Sequence, residues 1–222
     1  ERNWYVSSLN GMDTMLNNSN PNMQIGSGYE QYDMLQKFIY KPNEFVLHKV
    51  NLQLSNSGNV DRYDRLTQLE NGQAKYAQWY YGPQFRFLSS YSLELSKSNK
   101  FFDFSKFVLA YQSIEESRMV RKFRDVELKS RNESLDIITF NFDFSKLLPY
   151  TRRNGKILTH ELRYGVDIFY NDVKSNAFST NIINLQESLL DSRYPDGGSD
   201  MFSFAVYITD NIEFNDKMIF NI

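Results

Sequence analysis

The chain has 222 residues, of which 41% are hydrophobic and 16% aromatic, and its formal net charge is -2. It contains no cysteine, which excludes disulfide bonds and thiolate metal sites, and its near-neutral charge argues against nucleic acid as a partner. Because aromatic side chains favour strands, this composition predicts a β-rich protein.

Alternation of apolar and polar residues, the period of a β-strand, recurs along the chain. The apolar positions of the successive runs are, in chain order, Tyr32, Met34, Phe38 and Tyr40; Val50, Leu52 and Leu54; Phe85, Phe87, Tyr91, Leu93 and Leu95; Phe107, Leu109 and Tyr111; Ile138, Phe140, Phe142 and Phe144; Leu162, Tyr164, Val166, Ile168 and Tyr170; and Phe202, Phe204, Val206 and Ile208. A last run begins at Met218 and reaches Ile222. Together the runs predict about eight antiparallel strands, each with one apolar and one polar face.

The links between these strands differ in length at the two ends of the strands. The short links are Lys41–Phe45, Ser96–Asp103, Leu148–Lys156 and Glu213–Lys217. The long links, rich in Asn, Asp, Ser, Gly and charged residues, are Arg2–Gly28, Asn56–Gln78, Arg118–Ser134 and Ser175–Asp200. Short periplasmic turns at one rim and long extracellular loops at the other are typical of a bacterial outer-membrane barrel, whereas the Greek-key links of a soluble sandwich are not sorted in this way.

No stretch approaches the roughly 20 apolar residues of a membrane-spanning helix, but a transmembrane barrel strand needs only about 9–11 residues, half of which face a polar lumen. Uniformly bulky aromatic side chains suit a lipid-facing surface better than a sandwich core about 10 Å thick. The predicted lipid-facing and girdle residues are Trp79, Tyr80, Tyr81, Phe85, Phe87, Phe140, Phe142, Tyr164 and Phe204. The opposing interpretation makes them core or loop-packing aromatics of a soluble β protein.

The predicted fold is therefore all-β, an antiparallel transmembrane β-barrel segment. Its strands could close into a small barrel, but the long loops favour an arc of a larger barrel whose edges are completed by further chain. Both ends of the sequence look cut, since no signal segment begins at Glu1 and Ile222 falls within an alternating run. Residues 1–222 are thus expected to be one part of a single barrel domain.

Several runs, taken in order, resemble the barrel of TonB-dependent receptors of Bacteroidetes-type bacteria. They are Ser27-Gly28-Tyr29 with Gln31-Tyr32-Asp33; Asp61-Arg62-Tyr63-Asp64-Arg65-Leu66-Thr67; Tyr76-Ala77-Gln78-Trp79-Tyr80-Tyr81-Gly82-Pro83-Gln84; Ala110-Tyr111-Gln112 with Glu115-Glu116-Ser117-Arg118; Tyr164-Gly165-Val166-Asp167; and Arg193-Tyr194-Pro195-Asp196-Gly197-Gly198-Ser199.

This resemblance implies a barrel of about 22 strands, occluded by a plug domain that TonB moves with energy from the inner-membrane proton gradient. It implies active uptake, across the cell outer membrane, of a ferric siderophore, haem, cobalamin, glycan or peptide. The implied partners are outer-membrane lipid, the rest of the barrel, its plug domain, TonB through the plug, the small ligand and a surface lipoprotein. Because no plug and no TonB box appear before Glu1, the chain is expected to supply barrel wall and extracellular loops.

Charged residues of the polar face and of the long link near Arg62 are the candidates to face a ligand. They are Arg62, Tyr63, Arg65, Arg86, Arg163 and Asp167. The simpler interpretation is an ordinary salt-bridged loop for the first three and polar contacts with a plug for the others.

Other motifs that could carry chemistry have plainer interpretations. His48 and His160 share the parity of the apolar residues, which indicates interfacial positions and argues against metal or haem ligation. Glu115 and Glu116 are adjacent in a strand and point to opposite faces, so they cannot act on one atom. We expect no enzyme activity, cofactor or metal, because no nucleophile–base–acid set can be assembled. The alternative function is a soluble or surface-tethered β-sandwich module that binds carbohydrate through exposed Trp and Tyr.

Overall fold

The computed structural model describes residues 1–9, 12–151, 157–215 and 218–222. For residues 157, 196, 214 and 215 it describes the backbone alone. Strands hold 73% of the chain and helices 3%, and the sheets are mostly antiparallel. The all-β class predicted from alternation and aromatic content is confirmed. Within the described ranges, no helix has the length and apolarity needed to cross a membrane.

The elements of the described residues follow one another in a simple order. They are β1 (Trp4–Leu9), β2 (Met12–Asn17), β3 (Gln31–Asn43), β4 (Val46–Ser57), β5 (Val60–Asp61), α1 (Tyr63–Leu66), β6 (Leu69–Glu70), β7 (Gln73–Ala74), β8 (Tyr76–Tyr81), β9 (Gln84–Leu95), β10 (Phe104–Lys122), β11 (Glu127–Thr151), β12 (Ile157–Asn181), β13 (Glu187–Leu189), a 3-10 turn (Pro195–Gly197), β14 (Gly198–Asn215) and β15 (Met218–Asn221).

The main sheet is an antiparallel meander. Its strand order is β3, β4, β9, β10, β11, β12, β14 and β15, and the shorter strands β5, β8 and β13 join it at one end. The predicted short links fall between neighbours of this order, although residues 152–156 and 216–217 of two of them lie outside the described residues. In the described part, β3 and β15 each pair with one neighbour only, so the sheet is open at both edges.

The register gives the main sheet one apolar and one polar face. One row of directly paired residues crosses seven strands on the first face, which we call the apolar face: Phe38, Val50, Tyr91, Leu109, Phe140, Ile168 and Phe204. The adjacent row on the opposite side, which we call the polar face, consists of Lys37, Asn51, Ser90, Ala110, Thr139, Phe169 and Ser203. The alternation read from the sequence therefore lines up across strands.

No second layer covers the apolar face within the described residues. The exposed fraction is 58% for Phe204 and 69% for Ile208 on β14. The buried hydrophobic residues of the described chain are Leu66, Ala74 and Ala177, all of them away from this face. The main sheet thus lacks the two-sided core that a sandwich requires.

Two of the predicted long links contain long stretches of strand. The segment Arg118–Ser134 is not a loop, because β10 runs to Lys122 and β11 begins at Glu127. The link Ser175–Asp200 likewise contains the end of β12 and all of β13. Both faces of these strand segments are polar, so hydrophobic alternation does not mark them in the sequence. The backbone hydrogen bonds between β10, β11 and β12 nonetheless continue through them. We call this region the strand extension: residues 115–122, 127–136 and 171–181, with β5, β8 and β13.

One buried ion pair anchors the β1–β2 hairpin to the strand extension. Arg121 donates through both terminal nitrogens to the two carboxylate oxygens of Asp13, each at 2.8 Å, and the two side chains are 1% and 0% exposed. Ser8 Oγ and the backbone N–H of Arg124 also donate to Asp13. Burial opposes ionisation, but these hydrogen bonds outweigh it and hold the pKa of Asp13 below its ordinary value. The hairpin is thereby tied to a strand 108 residues away.

Candidate ligand-binding cluster on the polar face

Three predicted ligand-facing residues on the polar face of the strands already have polar partners. Arg86 donates to Glu116 at 2.8 Å, and Arg163 lies 2.9 Å from Glu161. Asp167 accepts a hydrogen bond from the side chain of Asn141, its neighbour across β11. These contacts join residues of the same strand or of neighbouring strands. Contact with a plug domain, the simpler role expected from the sequence, stays a prediction.

Two other predicted residues, Arg62 and Arg65, meet aromatic rings where β8 pairs with β10. The Cζ atom of Arg62 lies 6.0 Å from the ring centroid of Trp79 and 5.4 Å from that of Tyr81, and the Cζ atom of Arg65 lies 5.1 Å from Trp79. Arg118 of β10 stacks on Tyr81, with its Cζ atom at 5.1 Å. We call these five residues the arginine–aromatic cluster. Each such cation–π contact is worth about 0.5–1 kcal/mol when exposed.

Backbone pairing explains why these five residues converge. Tyr81 is directly opposite Arg118, and Trp79 is opposite Val120, so both rings lie on the polar-face side of the strand extension. The backbone N–H of Arg62 donates to the carbonyl of Trp79 at 2.8 Å, which sets the start of α1 beside β8. The Arg62 guanidinium then reaches the hydroxyl of Tyr81 at 2.8 Å.

The carboxylate of Asp64 lies beside the arginine–aromatic cluster. Arg62 donates to both of its oxygens at 2.8 and 2.7 Å, and Arg65 lies 3.5 Å away. The hydrogen bonds from Arg62 lower the pKa of Asp64 and, in return, raise the pKa of Arg62. The carboxylate is therefore engaged by two of the three arginines.

The pairing places Trp79 and Tyr81 with arginines on the polar-face side, whereas the sequence predicted them as lipid-facing or girdle residues. Tyr80 points the other way, together with Met119. Burial, together with the nearby carboxylate of Asp61, raises the pKa of Tyr80. The register slips by one residue at Gly82 and Pro83, between β8 and β9, and the sequence pattern alone does not reveal that slip.

The remaining predicted lipid-facing residues share the apolar face. Rings contact one another across the strands, as Phe107 does with Phe140 at 5.0 Å and Phe144 with Tyr164 at 5.0 Å between centroids. The others on this face are Phe85, Phe87, Phe142 and Phe204.

A polar cavity of about 450 Å³ lies where the segment that precedes β3 meets β5 and β8. Its lining includes Arg2, Asp61, Gln78 and Tyr80. Burial raises the pKa of Asp61, and Arg2 partly opposes that shift. The predicted ligand-facing residue Tyr63 lies under the Arg2 guanidinium, 5.3 Å from ring centroid to Cζ, and so outside the arginine–aromatic cluster. Sequence reasoning did not detect this cavity, because its walls come from segments far apart in the chain.

Both histidines have aromatic or acidic neighbours on the apolar-face side. His48 Nδ1 lies 2.8 Å from the hydroxyl of Tyr91, and its ring stacks with that of Tyr40 at 5.8 Å. His160 Nδ1 lies 2.6 Å from Asp210. No group of three or more potential metal-binding side chains occurs among the residues that the structure describes.

Comparison with known proteins found no matching family model and no matching curated protein. The resemblance to TonB-dependent receptors therefore remains a prediction from the sequence.

Proposed function

We propose that this chain forms part of the wall of an outer-membrane β-barrel that takes up a ligand in the manner of TonB-dependent transporters. The apolar face would contact lipid, and the polar face would line the lumen around a plug domain. The strand extension and the β1–β2 hairpin would project above the outer surface, where a ligand or a surface lipoprotein arrives. Partners for the unpaired edges of β3 and β15 are required, because a membrane barrel has no open edges.

The observation that carries this proposal is a continuous apolar face that crosses seven strands, with no second layer over it among the described residues, on a sheet whose other face is polar. The roughly ten residue steps from Ile138 to Leu148 correspond to about 33 Å along β11, or about 25 Å at a tilt of about 40°. That height equals the apolar band of outer-membrane barrels, about 25 Å. The one charged residue of this stretch on the apolar-face side, Lys146, binds Asp103 at the short-link rim, at 2.8 Å.

The sandwich alternative receives less support from the same face. A sandwich needs a second sheet packed about 10 Å away. Among the described residues, the apolar face meets no such sheet, and the buried hydrophobic residues lie elsewhere. A carbohydrate-binding module would also need free aromatic surfaces, whereas arginines cover the rings of Trp79 and Tyr81.

A charge substitution on each face tests the proposal. Phe140→Arg places a cation within the apolar face, two residues from the Ile138 end of the Ile138–Leu148 stretch. The cost of such a charge is about 2–4 kcal/mol at the bilayer midplane and falls toward the interfaces. Thr139→Arg is the matched control, since the adjacent residue lies on the polar face. We expect Phe140→Arg to reduce recovery of folded protein from outer membranes and Thr139→Arg to leave it unchanged. Equal recovery of both variants would overturn the proposal.

A further inference from the structure

We propose that Arg118 and Arg131, with Tyr81 and Trp79 beside them, form a binding site for an oxyanion, namely a carboxylate or phosphate group of a soluble ligand. The site lies on the polar-face side of the strand extension. That this anion belongs to the transported ligand rests on the proposed function, but the site itself is argued from geometry and charge.

The two arginines are directly opposite each other. Arg118 of β10 pairs with Arg131 of β11, and the row continues to Tyr81 on one side and Ala177 on the other. Side chains in such a pair have Cβ atoms about 4.5–5.5 Å apart, and like charges placed there are destabilising. An anion shared by both guanidinium groups removes that repulsion.

The carboxylates near this pair lie beside other arginines. Glu116 accepts a hydrogen bond from Arg86 at 2.8 Å. Glu133, the residue paired with Glu116, lies 3.6 Å from Arg193, and its Oε1 atom has no hydrogen-bond partner among the described residues. Asp64 binds Arg62 and Arg65, as described above. Within the described part of the chain, Arg118 and Arg131 have no carboxylate within 4.0 Å, so this surface carries an excess of positive charge.

The aromatic rings position Arg118 without neutralising it. The cation–π contact with Tyr81, 5.1 Å from Cζ to ring centroid, positions the guanidinium group, and a positioned guanidinium favours bidentate binding of a carboxylate or phosphate. Buried N–H donors that lack an acceptor among the described residues also gather here, at Arg118 Nε and Trp79 Nε1. Unsatisfied buried donors are rare, and an acceptor brought by a ligand or its bound water would satisfy them.

The position of the site favours a soluble ligand over a lipid headgroup. Arg118 and Arg131 point to the side opposite the apolar face, and their row lies beyond the last apolar row of β10 and β11, at Tyr111 and Ile138. A phosphate of a membrane lipid would reach the apolar-face side, where Lys174 lies on β12, three residues nearer the apolar rows than Ala177 of the arginine row.

The test is a titration of the purified protein with inorganic phosphate and with citrate at constant ionic strength. Trp79 is one of two tryptophans, so Trp4→Phe leaves its fluorescence as a local reporter. We expect saturable binding of at least one of the two anions, with affinity at least tenfold weaker in both Arg118→Gln and Arg131→Gln. Lys174→Gln is the control, because it removes the same charge on the other face of β12, three residues from Ala177 of the arginine row. It should bind as the parent does.

Thermal unfolding provides the second measurement. The anion should raise the melting temperature of the parent and of Lys174→Gln, whereas Arg118→Gln and Arg131→Gln should show a smaller rise at the same anion concentration. Absence of binding by the parent, or equal weakening in Lys174→Gln, would overturn the anion site. Both arginine variants should still enter membranes, so failure of the anion site and failure of the Phe140→Arg test remain distinguishable.

Discussion

Tyr207 of β14 lies across Gly165 of β12, the residue to which it is directly paired, and its hydroxyl donates a hydrogen bond to Asp143 on β11. A Cβ atom at Gly165 would lie 2.6 Å from Tyr207 Cε1 and 2.5 Å from the carbonyl oxygen of Phe142. Glycine therefore leaves the space through which the tyrosine reaches over one strand to the next. Contacts of this type fix the register of three adjacent strands.

We expect Gly165→Ala to destabilise the sheet by about 1–3 kcal/mol, because the added methyl group forces the ring and backbone apart. Urea unfolding in detergent or lipid measures the change. Gly28→Ala is the matched control, since nothing lies within 4 Å of its added Cβ. Equal stability of the two variants would show that Tyr207 can move aside at no cost.

Asp13→Asn should detach the β1–β2 hairpin from the strand extension. The substitution leaves the buried guanidinium of Arg121 without its counter-ion, which costs about 3–5 kcal/mol. Hydrogen exchange of the β1 and β2 amides should accelerate, while that of β11 and β12 stays slow. Asp172→Asn removes a more exposed carboxylate, 3.6 Å from Lys174, and should change exchange little. Unchanged protection of β1 in Asp13→Asn would contradict the anchoring role of the ion pair.

Acid should release the link between β9 and β10 from the short-link end of β11. Lys146, Ser98 and the backbone N–H of Leu147 donate to Asp103 and lower its pKa to about 2. Since the unfolded value is about 3.9, the stabilisation is complete above that pH and is lost as pH falls toward 2. Exchange of the Leu147 amide, corrected for its intrinsic pH dependence, should accelerate over this window. Asp103→Asn should abolish the transition, and persistence of the transition in that variant would assign it to another group.

The sequence was informative where one face of a strand is apolar. The runs around Phe140 and Phe204 predicted strands, and the register unites them on one face of one sheet. The end of β10 and the start of β11 carry polar residues on both faces, so the sequence predicted Arg118–Ser134 as a loop. Trp79 lies next to the start of a strand in the sequence, and this position predicted a girdle residue. The one-residue register shift between β8 and β9 changes the face of the sheet on which Trp79 lies, and closeness in sequence does not reveal that shift.

By itself, the sequence determined the all-β class and the division of each strand into an apolar and a polar side, because side-chain direction in a strand repeats every two residues. Only the tertiary structure decided that Arg118 faces Arg131, that Trp79 and Tyr81 stack with arginines, and that Asp13 binds Arg121. These contacts depend on strand register and on segments up to 108 residues apart. The alternation of residues within one strand carries no information on strand register or on contacts between distant segments, because pairing across a sheet is set by the whole hydrogen-bonded ladder.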